Sequence, residues 1–294
     1  MKKLMLVINP AAGRGGYKNN LPDALHTLEK GGYRTTLFFT AARGEATELV
    51  REEGSEYDVA ACIGGDGTLS EVIAGLMSLE KRPKLGYFPM GTANDVATTL
   101  GLPKNDSLAA AQRLVSGTPH PFDVGGFGEE YFAYIAAFGA FTEVSYSTPQ
   151  DQKRALGHLA YVLQGAASLG KIEAFHTVVE YDGGVIEDDL VYGSLSNSTS
   201  VAGIVRLNEE MVGLGDGMSE LVLVKDPKTV ADFGELVESV LSQRYDSDKL
   251  LILHTKKASF HFEKPVPWTR DGEAGGSHQD VELCNYAAPI EFIF

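Results

Sequence analysis

The stretch GGDGT at residues 64–68 combines three glycines with a carboxylate. Glycines let backbone N–H groups approach a phosphate closely, and the helix predicted to follow offers unpaired N–H donors and the positive end of its dipole. The negative charge of Asp66 would repel a phosphate unless a cation or a proton relay accompanies it. The motif therefore indicates Mg²⁺-linked phosphate chemistry. The alternative is a glycine-rich turn in which Asp66 is the N-cap of the helix.

Two more polar stretches that contain glycine follow predicted strands, NPAAGRGG at 9–16 and PMGTANDVA at 89–97. Neither they nor GGDGT match the GxxxxGK[ST] loop, and no GxGxxG with a downstream acid opens the first helix, which argues against P-loop and dinucleotide-binding proteins. Three such loops at strand ends argue against coincidence. Their candidate residues outside 64–68 are Asn9, Gly13, Arg14, Gly15, Gly16, Thr92, Asn94 and Asp95.

The second half of the chain contains two acidic turns. GLGDGMSELVLV (213–224) has Asp216 before a glycine at the entrance to a predicted strand, with an ordinary β-turn as the alternative. PWTRDGEAGG (267–276) has Asp271 and Glu273 on either side of a glycine. If this stretch is a turn, both carboxylates could project into one site, and the alternative is a solvated acidic turn.

The elements that must position these loops alternate over the first 120 residues. Apolar runs predict strands at 4–8, 35–40, 58–63 and 84–89, and helical spacing predicts helices near 21–28, 46–50, 69–76 and 107–117. Repeated βα units predict a parallel sheet with helices on both faces, a Rossmann-like, three-layer α/β domain. Ligands of such domains bind beyond the carboxyl ends of the strands.

The pattern changes after residue 122. Short alternating runs predict strands, with a hairpin turn at Asp182, Gly183 and Gly184, and the pattern predicts two helices, at 156–170 and 229–244. We therefore expect an α/β domain at 1–122 and a mainly β, β-sandwich-like domain at 123–294.

Composition excludes several classes of function. The net charge of −15 and the pI near 4.9 argue against a nucleic-acid partner and against purely electrostatic attachment to an anionic membrane. Cys62 and Cys284 lie far apart, without the spacing of a disulfide framework or a zinc site. The longest near-apolar stretch, 131–141, is too short to span a bilayer as a helix. These features predict a cytoplasmic protein without a transmembrane segment, and they leave the oligomeric state open, with a homodimer as one alternative.

Six stretches together resemble the soluble diacylglycerol kinase catalytic-domain family, which includes bacterial lipid kinases and sphingosine kinases. Their order and spacing cover nearly the entire chain, which makes the match specific. GGDGT alone would not be specific, because NAD kinases have a similar sequence there. The chain departs from many relatives at 196–217, where it lacks a triple glycine and a proline, which leaves a different acceptor open. The stretches are NPAAGRG (9–15), GGDGTLSEV (64–72), PMGTANDVA (89–97), FDVG (122–125), GDGMSELVLV (215–224) and DGE (271–273).

The resemblance implies a Mg²⁺-dependent kinase that transfers the γ-phosphoryl of ATP to diacylglycerol or a related lipid alcohol. It also implies that the protein attaches transiently and peripherally to the membrane surface, where the lipid lies. It implies nucleotide binding by 1–122 and lipid binding by 123–294. The residues it implies for ATP and its Mg²⁺ are Asn9, Pro10, Ala11, Ala12, Gly13, Thr40, Gly64, Gly65, Asp66, Gly67, Thr68, Leu69, Ser70, Glu71, Thr92, Asn94, Asp95 and Asp123.

The resemblance also implies roles for the carboxylates. Asp66, Asp95 and Asp123 would form an acidic, Mg²⁺-linked network, and Gly213, Asp216 and Met218 would hold a structural Mg²⁺. Glu273 or Asp271 matches the general base, with Asp66 as a further catalytic candidate. The competing hypotheses are an NAD kinase-like enzyme and a catalytically silent regulator that binds lipid or nucleotide.

Overall fold

The computed structural model describes residues 1–140, 173–197, 200–201, 205–206, 213–243, 245 and 247–294. The helix predicted at 156–170 and much of the divergent segment 196–217 lie outside these residues. None of the helices in the described part of the chain has the length and apolar character needed to cross a bilayer.

The first part of the chain alternates strands and helices where the sequence predicts them. β1 pairs in parallel with β2 and β3, and β3 pairs in parallel with β4. Short 3₁₀ segments follow β1 and α2, at Ala12–Asn19 and Gly54–Glu56. The elements are β1 (Lys2–Ile8), α1 (Leu21–Lys30), β2 (Tyr33–Phe39), α2 (Glu45–Glu53), β3 (Val59–Gly64), α3 (Asp66–Met77), β4 (Lys84–Pro89), α4 (Asp95–Thr99) and α5 (Ser107–Ser116).

Helices cover both faces of these strands because successive strand side chains point to opposite sides. Leu4 and Leu6 pack in one apolar cluster with side chains of α1 and α5. Met5 and Val7 pack in another cluster, with side chains of α2 and α3. This burial on both sides explains why β1 is a continuous apolar run rather than an alternating one.

The part of the chain after residue 122 is mainly β, as predicted. Tyr181 pairs with Gly184 across the hairpin predicted from Asp182 and Gly183. The elements are β5 (Pro119–Phe127), β6 (Glu130–Phe132), β7 (Ile135–Gly139), β8 (Phe175–Tyr181), β9 (Gly184–Ser196), β10 (Ser200–Val201), β11 (Val205–Arg206), β12 (Ser219–Lys225), α6 (Val230–Ser242), β13 (Leu250–Thr255), β14 (Lys257–Arg270) and β15 (Glu273–Ile293).

The expectation of a separate parallel sheet is not confirmed, because the strands of both halves join in one mixed sheet. Its main order is β13-β12-β9-β7-β14-β15-β4-β3-β1-β2. β15 pairs antiparallel with β14 and β5, and its Phe292 pairs in parallel with Leu85 of β4. The apolar end of β15 causes this continuity, since Phe292 is buried in the same cluster as α2 and α3. The boundary predicted after residue 122 falls inside β5 and stays a prediction.

An aromatic cluster fills the core between the strands of the β-rich part. Phe138 of β7 is fully buried and contacts Phe175, Phe260, Phe262 and Trp268. Its ring centroid lies 4.9 Å from that of Trp268, which is the single tryptophan of the chain. Intrinsic fluorescence therefore reports on this cluster.

We predict that Phe138→Ala lowers the free energy of unfolding by about 3–5 kcal/mol, because it removes a buried ring and leaves a cavity. Urea denaturation followed by tryptophan fluorescence measures the change. Val185→Ala, at a side chain that is 64% exposed, is the control and should change stability by less than about 0.5 kcal/mol. Equal effects of the two substitutions would contradict the prediction.

Candidate functional site

The three glycine-bearing loops predicted from the sequence lie next to one another. They follow β1, β3 and β4, which are neighbours in the sheet. Met90 N–H donates to the Gly64 carbonyl at 2.7 Å, and Asn9 Nδ2 donates to Thr68 Oγ1 at 3.1 Å. The structure therefore brings the loops at 9–16, 64–68 and 89–95 to one edge of the sheet.

Two of the glycine positions are required for the loops to touch. A Cβ on Gly13, which has φ +54°, would stand 2.2 Å from the Met90 carbonyl oxygen. A Cβ on Gly91 would stand 2.4 Å from the Cα of Gly65. These glycines are therefore needed for packing between the loops as well as for any approach of a phosphate.

Several side chains predicted to contact the nucleotide are engaged within the protein. Asn94 Oδ1 accepts from Gly91 N–H at 2.9 Å, and Asn94 Nδ2 donates to the Gly91 carbonyl at 2.9 Å. Leu69 is fully buried in the core. Glu71 accepts backbone N–H donors at the start of α2. These residues shape the loops, and a nucleotide would meet their backbone or their neighbours.

Other predicted contacts are more accessible. Pro10, Ala11, Gly13 and Thr92 are exposed, and Ala12, Gly65, Gly67 and Thr40 are partly buried. Thr40, which follows β2, donates its N–H to the Ile8 carbonyl at 3.0 Å. The loop after β2 thus joins the same edge of the sheet.

Asp66 is the first residue of α3, and the N-cap is Gly65, with no side-chain capping bond. The N-cap alternative for Asp66 is therefore wrong. The pKa of Asp66 is raised to about 6, first by burial and then by the neighbouring carboxylates of Asp95 and Asp271, although backbone N–H donors from Asp95 and Val96 act against the rise. The carboxylate thus lies in a site that disfavours its charge.

Tyr134 was not identified from the sequence and lies beside these carboxylates. Its hydroxyl donates to Asp95 Oδ2 at 3.3 Å. Burial, followed by the charges of Asp271 and Asp95, raises the pKa of Tyr134 well above its usual value, so the hydroxyl stays protonated and remains a donor. No sequence motif marked this residue, because it belongs to an apolar run.

Asp271 is buried, with 6% of its surface exposed, and is not part of a solvated turn. Its carboxylate accepts the N–H groups of three successive residues, 133, 134 and 135, at 2.7, 3.0 and 3.2 Å. Ser70 Oγ of α3 donates to it at 2.5 Å. Burial raises the pKa of Asp271, and these hydrogen bonds act against that rise. Asp271 therefore ties the β14–β15 turn to α3 and to the start of β7.

Glu273 has a different environment, although it is only two residues away. Its side chain is 47% exposed, and its Oε2 lies 2.6 Å from Arg43 Nη2. Its Oε1 lies 2.7 Å from the position that a Cβ on Gly67 would take. The solvated alternative is therefore wrong for Asp271, and Glu273 is the carboxylate that reaches the GGDGT loop.

Asp123, the third carboxylate of the predicted network, is fully buried and has hydrogen-bond partners of its own. Its carboxylate accepts from Gly217 N–H at 2.8 Å, Ala288 N–H at 2.6 Å and Asn285 Nδ2 at 3.2 Å. Burial raises its pKa, and the carboxylate that adds to the rise is Asp216. The carboxylates that act on Asp66 are instead Asp95 and Asp271. Asp123 of β5 thus contacts the turn at 213–218, and its membership of the Asp66–Asp95 network stays a prediction.

The turn at 213–218 contains the three residues predicted to hold a structural metal, and the carbonyl of one of them, Met218, accepts Asn285 Nδ2 at 2.7 Å. Met218 N–H donates to Asp216 Oδ1 at 2.9 Å, and the Gly213 carbonyl accepts from Asp216 N–H at 3.4 Å. A Cβ on Gly213 would stand 2.3 Å from Asp216 Oδ2, so glycine keeps this cradle open. Within the described ranges, no group of three or more His, Cys, Asp and Glu side chains could hold a metal. Such a site would therefore depend on one carboxylate and backbone carbonyls, an oxygen set that suits Mg²⁺.

The chain is similar to several known proteins. The model of the diacylglycerol kinase catalytic domain matches residues 3–127. A diacylglycerol kinase of Bacillus subtilis (strain 168) is 34% identical over 279 residues, which cover 94% of this chain and 91% of that protein. A diacylglycerol kinase of Staphylococcus aureus (strain MRSA252) is 36% identical over 286 residues, which cover 94% of this chain and 87% of that protein.

A solved structure also matches along the whole chain. It is a protein of Bacillus anthracis str. Sterne assigned as a diacylglycerol kinase, with a TM-score of 0.82 and 26% sequence identity. The match covers 100% of this chain and 95% of that one. The likeness therefore extends over both the glycine-bearing loops and the β-rich part.

We predict that Asp66→Asn changes the pH dependence of stability in metal-free buffer with EDTA. The pKa of Asp66 is raised from 3.8 to about 6, so the folded chain binds this proton more tightly than the unfolded chain. The parent should therefore lose stability as pH rises from about 4 to 6, and Asp66→Asn should not share that loss. At pH 7 the free energy of unfolding of the variant should exceed that of the parent by on the order of 1–3 kcal/mol.

Urea unfolding at several pH values measures this difference. Asp248→Asn removes the same charge at an exposed position and should follow the parent. If Asp66→Asn and the parent decline equally between pH 4 and 6, the buried carboxylate does not have the raised pKa.

Proposed function

Because the chain belongs to the diacylglycerol kinase family, a family of lipid kinases, we propose that it transfers the γ-phosphoryl group of ATP to the hydroxyl of diacylglycerol or a related lipid alcohol. The observation that carries this proposal is the approach of Glu273 Oε1 to within 2.7 Å of the Cβ position of Gly67. A carboxylate beside a glycine-rich phosphate loop is suited to accept the proton of an attacking hydroxyl.

ATP would lie across the loops that follow β1, β3 and β4, on the Rossmann-like part of the sheet in residues 1–122. Backbone N–H groups of the GGDGT loop and the first turn of α3 would donate to its phosphates. The lipid would approach from residues 123–294, the β-rich and β-sandwich-like part, whose turn at 271–273 carries Glu273. The close contacts between the loops at Gly13 and Gly65 support one continuous nucleotide surface.

The proposed step is a phosphoryl transfer with Glu273 as the base. The lipid hydroxyl oxygen forms a bond to the γ-phosphorus while the bond from that phosphorus to the β–γ bridging oxygen breaks, and ADP leaves. The hydroxyl proton passes to Glu273 Oε1. Asp271 supports this step by fixing the turn, since its own oxygens already accept four hydrogen bonds.

We further propose that Asp66 and Asp95 hold Mg²⁺ next to the phosphates. When bound, Mg²⁺ would neutralise charge on the phosphate oxygens during transfer. The raised pKa of Asp66 supports this role, because a nearby cation would offset both its burial and its repulsion with Asp95. A structural Mg²⁺ would take the oxygens of Gly213, Asp216 and Met218.

The proposed substrate is a lipid, so the protein would act at the membrane surface from the cytoplasm, by transient peripheral attachment. A labelled-ATP assay against a panel of lipid alcohols in detergent micelles, with NAD as the control acceptor, tests the function. We expect label in diacylglycerol or a related lipid alcohol and none in NAD. Label in NAD alone would overturn the proposal.

We predict that Glu273→Gln lowers kcat by at least ~10²-fold with little change in ATP affinity, because it removes the proton acceptor and keeps the size of the side chain. Turnover and equilibrium ATP binding of the purified variant check this. Asp271→Asn should also lower turnover, but it should lower the melting temperature as well, because an amide cannot accept hydrogen bonds from all four donors. If both variants keep near-parental turnover, the base must be sought elsewhere, first at Asp66.

We predict that Mg²⁺ raises the melting temperature of the parent and that Asp216→Ala flattens this dependence, since a bound ion stabilises the folded state by mass action. Thermal unfolding across a Mg²⁺ titration without nucleotide measures both curves. Asp280→Ala removes a carboxylate that is 72% exposed and should leave the dependence unchanged. A Mg²⁺ response in Asp216→Ala equal to that of the parent would reduce Asp216 to a turn residue.

A further inference from the structure

Arg43 forms an ion pair with the proposed base although it lies far from it in sequence. It belongs to the loop between β2 and α2, and its Nη2 lies 2.6 Å from Glu273 Oε2. The side chains of Arg43 and Glu273 are 69% and 47% exposed. The pair therefore lies at the open edge of the site, where the loop after β2 meets the 271–273 turn.

The loop that carries Arg43 is fixed by hydrogen bonds from its backbone N–H groups to two glutamate side chains. Glu71 of α3 accepts Gly44 N–H at 2.8 Å and Ala46 N–H at 3.2 Å. Glu45 Oε2 accepts the N–H groups of residues 41 and 42 at 2.5 and 3.1 Å. Glu71 belongs to α3, the helix that begins within the GGDGT loop, so this one helix supports both the glycine loop and the loop that carries Arg43.

The two oxygens of Glu273 have different neighbours. Oε2 faces the guanidinium, and Oε1 is the oxygen near Gly67. A planar guanidinium restrains a carboxylate more than solvent does, because it offers donors in a fixed geometry. Without it, the half-exposed side chain of Glu273 would sample other rotamers.

We propose that Arg43 is a positioning residue that orients Glu273, so that Oε1 faces the GGDGT loop and the incoming hydroxyl. This inference rests on the proposed role of Glu273. Arg43 acts on the carboxylate and not on the nucleotide, so its loss affects kcat and leaves the KM for ATP unchanged.

The expected effect is small because exposed ion pairs contribute little. Arg43→Gln should lower kcat about 2- to 5-fold, the range that corresponds to a solvent-exposed pair. Arg43→Lys keeps the charge near the carboxylate and should retain at least about half of the parental kcat. In the Glu273→Gln background, Arg43→Gln should lower kcat no further, because the group that it orients is already absent.

The experiment is a double-mutant cycle of Arg43→Gln and Glu273→Gln in the full chain, with kcat and the KM for ATP measured in the lipid kinase assay. Arg51→Gln is the matched control. Arg51 Nη1 pairs with Glu48 Oε1 at 2.7 Å within the nearby α2, whereas the ion pair of Glu273 is with Arg43, so kcat should remain parental.

Three outcomes would overturn the inference. Parental kcat in Arg43→Gln would show that Glu273 needs no partner. A raised KM for ATP, equal in both backgrounds, would show that Arg43 binds phosphate instead. Parental kcat in Glu273→Gln would overturn the proposed base as well as the positioning role. A lowered kcat in Glu273→Gln with a parental kcat in Arg43→Gln would overturn the positioning role alone.

Discussion

The burial of the Asp271 carboxylate is the interaction on which the arrangement of the site depends. A buried charge is costly unless hydrogen bonds replace its lost water, and four donors from two separate parts of the chain do so here. Three of these donors are consecutive N–H groups at the start of β7, and the fourth is Ser70 of α3. The β14–β15 turn can therefore occupy only the position in which all four donors converge. That position also fixes the turn containing Glu273 against α3, the helix that begins in the GGDGT loop.

The second constraint is the close contact between the three loops. Gly13 fits against the Met90 carbonyl, and Gly91 fits against Gly65, because a Cβ at Gly13 or Gly91 would collide with these neighbours. The loops consequently form one surface, with backbone N–H groups near the start of α3. Asp66 and Asp95 belong to these loops, and the burial of Asp66 next to the charge of Asp95 raises its pKa. The same packing that assembles the loops therefore creates a site that favours a cation.

Much of the fold could be predicted from the sequence, because its signals are local. The βα alternation, the hairpin at 182–184 and the loops at strand ends all depend on residues close in the chain. The mixed sheet could not be predicted in this way, since it depends on Phe292 of β15 reaching β4. The partners of Asp123 were missed for the same reason, because Gly217, Asn285 and Ala288 are distant in sequence. Arg43 and Tyr134 belong to stretches without a motif, and only tertiary packing brings them to the site.

The motif DGE presents two carboxylates whose roles the sequence leaves interchangeable, and their surroundings separate them. The two oxygens of Asp271 accept four hydrogen bonds from within the protein, so a proton taken from a substrate would compete with the donors at the oxygen that receives it. Glu273 is half exposed, keeps Oε1 near the glycine loop and pairs with the Arg43 guanidinium at Oε2. A group that exchanges a proton must be able to change its charge without dismantling the fold. In this turn only Glu273 meets that condition, and the rigidity supplied by Asp271 is what keeps so exposed a side chain at the site.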